Sequence, residues 1–224
     1  MTAGPSIVHE DDEIIVIEKP AGLVVHPAAS HTGGTLADWL GDRAGGGESE
    51  RRGIVHRLDK GTSGLMVVAR TEAAHRELSR QIKAREIVRE YVALVEGRLA
   101  SRTGTIDAPL GRDRRRRTRR AVRGPGEREA RTHFEVIEAL PADTLVRARL
   151  ETGRTHQIRV HFAAIDHPVA GDPEYGSAGR HGLERQFLHA ARLTLRHPRR
   201  GEEISFESPL PADLTAAQQR ARGG

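Results

Sequence analysis

The chain has 224 residues, a formal net charge of +5 and no cysteine, enough length for one good-sized core or two small ones. Without cysteine there is no disulfide, thiolate nucleophile or Cys-ligated zinc, and no apolar run approaches the roughly 18 residues that would suggest a membrane-spanning helix. The N-terminus has no basic region followed by an apolar stretch, so no signal peptide is expected and a soluble cytoplasmic protein is the simplest reading.

In chain order, residues 13–18 (EIIVIE) and 21–25 (AGLVV) are β-rich runs split by Lys19-Pro20, which favours an extended or turned chain. Residues 35–43 (TLADWLGDR) fit a short helix, and 44–52 a Gly/Glu/Ser loop. After HRLD at 56–59 comes a turn at Gly61–Gly64 and an apolar strand at 65–69. The clearest helix is 72–85, with Thr71 as its N-cap and Ala74, Leu78 and Ile82 at helical spacing. Strands are expected at 90–96, 133–138 and 144–150, and a helix at 155–165, opening after Gly153-Arg154. Strands at 191–196 and 203–207 and a helix near 212–221 complete the chain. Two to three helices among about eight strands predict an α+β fold. Strands that follow one another without a crossover helix predict a largely antiparallel sheet. A single domain is expected, with a basic mobile loop at 112–128 closed by Gly124-Pro125-Gly126.

That basic segment concentrates the charge. Residues 112–123 (RDRRRRTRRAVR) hold eight arginines and one aspartate, so the rest of the chain is slightly acidic. Such a cluster suits a polyanionic partner, although a solvated charge run remains the alternative. Twelve histidines invite a metal hypothesis. His156 and His161 are five apart, whereas two ligands on one helical face need three or four, and no HExxH occurs. No metal site is expected. GxxxxGK[ST], a strand-to-helix GxGxxG and GxSxG are also absent.

Two segments remain. In 54–70 (IVHRLDKGTSGLMVVAR), Asp59 sits between Arg57 and Lys60, cations that favour its carboxylate form. An ionised carboxylate on an exposed turn suits covalent attack on a carbon electrophile. Taken alone, the pattern fits a structural salt bridge at a strand end better. In 151–161 (ETGRTHQIRVH), Arg154 and Arg159 fall at a helix opening.

Together these segments resemble the RluA family of pseudouridine synthases. HRLDKGTSGLMVVAR (56–70) resembles the family's catalytic-aspartate motif, and IIVIEKPAGLVVHP (14–27) its N-terminal KPxGLxVHP motif. REYVALVEG (89–97) resembles the segment with the active-site tyrosine, ETGRTHQIRVHFAAIDHPVAGDPEYG (151–176) the GRTHQIR motif, and FLHAARLTLRHP (187–198) the late LHA motif. The matches keep family order over residues 8–212.

The resemblance implies a pseudouridine synthase fold and an isomerase that converts uridine to pseudouridine in RNA without metal or cofactor. It implies Asp59 as nucleophile, with attack on ribose C1′, attack on uracil C6 and a glycal route all open. Tyr91 matches the tyrosine that packs on the target base, and Arg159 the arginine that pairs with the catalytic aspartate. Arg57 matches the side chain that fills the space of the flipped base, and Arg154 is a candidate for phosphate or aspartate support. Arg114, Arg115, Arg116, Arg117, Arg119 and Arg120 are then expected to grip the RNA backbone. Many family members carry an N-terminal S4-type RNA-binding domain. Here KPAG begins at residue 19, so no such domain is expected, and selection is expected to rest on the catalytic domain and its basic loop. Large-subunit rRNA is the expected partner and tRNA the alternative, for a monomer without membrane association. A catalytically silent RNA-binding or rRNA-chaperone protein and a metal-dependent nuclease are the rival readings.

Overall fold

A computed structural model describes residues 4–26, 33–48, 52–116 and 119–223. In chain order the elements are β1 (Ser6–Glu10), β2 (Ile14–Lys19), α1 (Leu36–Leu40), β3 (Ser63–Ala69), α2 (Glu72–Lys83) and β4 (Val88–Glu96). There follow β5 (Thr103–Asp107), β6 (Leu110–Arg112), β7 (Arg120–Val122), β8 (Arg131–Ala139), β9 (Asp143–Leu150) and α3 (Gln157–Ala164). β10 (Leu188–Arg196), β11 (Glu203–Glu207) and α4 (Ala212–Gly223) end the chain. Among the described residues the pairings β1–β2, β2–β3, β4–β9, β5–β8, β6–β7, β8–β9 and β10–β11 are antiparallel, as the strand succession predicts. The fold is mixed α+β.

The chain forms two compact units, each built from separated segments: residues 1–89 with 190–208, and residues 90–189 with 209–224. In the first unit, β2 lies between β1 and β3, and β10 lies between β3 and β11. β2 and β3 are buried almost throughout, which explains their continuous apolar runs in place of an alternating pattern. One face of β2 and β3, with Ile14, Val16, Leu65 and Val67, packs on Ala74 and Leu78 of α2. Helix α2 starts where its capping residue is: the Thr71 hydroxyl accepts from the Ala74 N–H at 3.0 Å. Burying Leu78 there contributes about 1.5–3 kcal/mol.

Residues 21–25 do not form the expected strand. They make a turn and one parallel bridge, Val24 with Thr35. Gly64 opens β3 with φ +114°, and a Cβ there would lie 2.3 Å from the Ala190 carbonyl oxygen. Gly64→Ala should therefore cost roughly 2–4 kcal/mol through left-handed strain and a backbone clash. Urea denaturation should show it as a lowered midpoint.

The second unit contains a sheet of order β4-β9-β8-β5 and the separate hairpin β6–β7. Part of the basic stretch read as a loop is thus paired strand: Leu110 opposes Val122 and Arg112 opposes Arg120. Leu110, Val122, Ala130 and Val160 share an apolar cluster with Tyr175, which anchors the hairpin to α3. No helix among the described residues is long and apolar enough to cross a membrane.

Candidate functional site

In the first unit, main-chain contacts fix the turn that carries Asp59. The Lys19 side chain is completely buried, and its ammonium donates to the carbonyls of Pro20, Leu23 and Lys60 at 2.8, 3.0 and 3.4 Å. The Gly22 N–H also donates to the Lys60 carbonyl, at 2.7 Å, and the Thr62 N–H to the Asp59 carbonyl, at 3.0 Å. His56 accepts from the Val67 N–H at 3.1 Å, tying the HRLD segment to β3. The Asp59 side chain is half-buried and the Arg57 side chain exposed, with Arg57 Nη1 3.2 Å from His26 Nε2. This is a rigid turn presenting a carboxylate with an arginine two residues before it. Lys19 supports that turn although its only sequence signal is the KPAG run.

In the second unit, Tyr91 lies on β4 opposite Ala148 and is 5% exposed. Arg159 lies in α3, whose first turn follows His156 in the left-handed region at φ 58°. Its guanidinium forks the fully buried Asp172, with Nε 2.6 Å from Oδ2 and Nη2 2.9 Å from Oδ1. Nη2 also donates to Glu174 at 3.0 Å. The Asp172 carboxylate accepts from the Glu174 and Tyr175 N–H groups as well, at 2.9 and 3.2 Å. These acidic partners of Arg159 follow it by 13 and 15 residues. Their signal was the GDPEYG run, which does not show that they fold back on the helix.

Tyr175 ties α3 to the basic hairpin. The Arg119 and Arg159 guanidinium carbons lie 4.6 and 5.0 Å from its ring centroid. Its hydroxyl accepts from the Arg120 N–H at 2.9 Å and pairs with His156 Nδ1 at 3.0 Å. Burial raises the Tyr175 pKa, keeping the phenol neutral. His161 points elsewhere, to the Thr132 hydroxyl and the Ala108 carbonyl, both at 2.9 Å. The two histidines thus have separate partners.

Arg114, Arg120 and Arg154 line one cleft of about 1010 Å³, together with Arg112, Arg128 and Asp113. Arg154 is anchored there by Nε donating to the Glu129 carbonyl at 3.0 Å. Arg115 and Arg116 are exposed, and their N–H groups cap Asp113 at 2.7 Å each. Those bonds hold the Asp113 carboxyl below its usual range. Arg117 lies outside the described residues. Five arginines against one aspartate give a concave surface suited to a phosphodiester strand. Arg128, beyond the arginine run, was missed because only the hairpin brings it to the cleft.

Comparison with known proteins agrees with these motifs. The family model described as RNA pseudouridylate synthase matches residues 13–164. Ribosomal large subunit pseudouridine synthase D of Nitrosomonas europaea is 49% identical over 96% of this chain and 65% of its own length. The uncharacterized RNA pseudouridine synthase YlyB of Bacillus subtilis is 46% identical over 96% of this chain and 72% of its own. The chain thus spans about two thirds of the length of the curated relatives it matches. Among solved structures, human RNA pseudouridylate synthase domain containing 4 superposes with a TM-score of 0.76 at 27% identity, covering 97% of this chain and 93% of that one. A match over most of the chain, to sequences and to folds alike, places it: this protein belongs to the RNA pseudouridylate synthase family, the RluA family that its five segments resemble.

Proposed function

We propose that this protein isomerises uridine to pseudouridine in RNA, with large-subunit rRNA as substrate and Asp59 as nucleophile. The observation that carries this reading is the Asp59 turn, fixed through the Asp59 and Lys60 carbonyls while the side chain remains half-exposed. The C1′–N1 bond breaks, the base turns, and a C1′–C5 bond forms as C5 loses its proton and N1 gains one. Atoms balance without a co-reactant. Tyr91 packs on the base, and Arg159, whose Nε and Nη2 serve Asp172 and Glu174, is the arginine that supports the catalytic aspartate. Arg57 fills the space left by the extruded base, which costs a few kcal/mol to unstack. Together the segments act as one catalytic domain.

Incubation with rRNA and tRNA transcripts tritiated at uridine C5 tests the activity. Release from large-subunit rRNA is expected; no release from any bulk RNA by folded protein would exclude the isomerase. Arg114, Arg115, Arg116, Arg119 and Arg120 grip the RNA backbone, with Arg154 and the neighbouring Arg117. Replacing Arg114–Arg117 by glutamine should flatten the log–log salt dependence of RNA binding by about 3, on the order of 0.7–0.9 per phosphate contact. Fluorescence anisotropy over a KCl series measures it, and an unchanged slope would assign the run to solvated surface.

A further inference from the structure

The cleft of the second unit has two arginine walls. Arg112, Arg114 and Arg120 come from the β6–β7 hairpin, and Arg154 comes from the turn before α3. The Arg154 wall is fixed by a buried side chain. The Arg154 N–H donates to Gln157 Oε1 at 3.0 Å, and the Gln157 amide donates to the Arg131 carbonyl and the Thr132 hydroxyl at 3.0 and 3.1 Å. The hairpin is tied at its base by main chain, where Leu110 and Arg128 exchange N–H···O bonds of 2.9 and 3.0 Å.

Further out, the tie is a single phenol. The Tyr175 hydroxyl accepts from the Arg120 N–H at 2.9 Å and pairs with His156 Nδ1 at 3.0 Å. Arg120 belongs to the hairpin wall, and His156 follows Arg154 by two residues at the start of α3. One oxygen thus bridges the two walls of the cleft. Burial keeps the phenol protonated, so it can accept on one side and donate on the other. The ring adds to the hold by packing with Leu110 and Val122 of the hairpin and Val160 of α3.

An arginine–phosphate hydrogen bond spans roughly 2.7–3.2 Å. A shift of one wall by about 1 Å therefore breaks its contacts with a strand held on the other. We infer that Tyr175 is a positioning residue for RNA binding, whose hydroxyl fixes the separation of the hairpin arginines from Arg154 and so matches the cleft to the phosphates of one strand. This rests on RNA as the occupant of the cleft and not on turnover.

Tyr175→Phe keeps the ring and its packing and deletes only the bridge. A fluorescein-labelled RNA hairpin with a uridine-rich loop, titrated by anisotropy over a KCl series, reads the effect. Tyr175→Phe should weaken binding about fivefold and lower the log–log salt slope by about 0.7–0.9, the value of one phosphate contact. In an Arg112→Gln/Arg120→Gln background the same substitution should leave the slope nearly unchanged, because the arginines it positions are gone. In tritium release the change should fall on KM, with kcat within about twofold of wild type. Urea unfolding reads stability separately. A lowered midpoint with the slope and KM of the wild type would make the hydroxyl a structural tie only and overturn the inference. Equal losses of slope in both backgrounds would also overturn it, since the hydroxyl would then act through some other contact. Failure of the wild type to bind the RNA hairpin would overturn it together with the RNA reading of the cleft. Binding without tritium release would refute the proposed reaction alone, and the inference would stand or fall on the titration.

Discussion

Asp59→Asn should lower tritium release by at least about three orders of magnitude while leaving the urea midpoint nearly unchanged. The amide keeps the shape of the side chain but is neutral and a poor nucleophile. The main chain of the turn has its own support, because Thr62, Gly22 and Lys19 all bond to main-chain oxygens of Asp59 and Lys60. A loss of three orders corresponds to about 4 kcal/mol of transition-state stabilisation. Asp59→Glu separates charge from position: it keeps the carboxylate but moves it by one methylene, and a displacement near 1 Å can cost about 100-fold. Its activity should fall between wild type and Asp59→Asn. Full release by Asp59→Asn would remove the nucleophile role altogether.

Local signals account for what was legible in the sequence. Helix α2 was readable because Thr71, Ala74, Leu78 and Ile82 put a cap and an apolar stripe within 12 residues. β2 and β3 were readable because strands covered on both faces are continuous apolar runs. Residues 21–25 look equally strand-like, yet the Leu23 carbonyl serves the Lys19 ammonium and the Gly22 N–H serves Lys60. A buried lysine competed for the ladder's hydrogen bonds, and composition does not display that competition. β1 was missed because its exposed residues and the register shift between Ile7 and His9 break the alternation. The hairpin β6–β7 was missed because three-residue strands carry no period and the arginine run between them dominates the local pattern. In the candidate site, motif spacing reached Asp59, Tyr91, Arg154 and Arg159. It did not reach Asp172, whose significance lies in the Arg159 donors that meet its carboxylate, a property of folding and not of spacing.

The same logic makes Arg159 the most consequential position for stability. Arg159→Met leaves the fully buried Asp172 carboxylate with only the Glu174 and Tyr175 N–H groups, and stranding half of a buried ion pair costs about 3–5 kcal/mol. Against a typical total of about 5–15 kcal/mol, this should appear as a large drop in urea midpoint. Arg159→Lys should cost less, since it keeps the charge but has no fork to match both Asp172 oxygens. The double variant Arg159→Met with Asp172→Asn removes both charges and should recover much of the lost stability, because a neutral amide needs less compensation than a carboxylate. That recovery isolates the chemistry. If Arg159 also positions Asp59, the restabilised double variant stays inactive in tritium release, because its fold has been repaired and its guanidinium has not. If activity returns with stability, Arg159 serves only to hold Asp172, and the proposed pairing with the nucleophile fails.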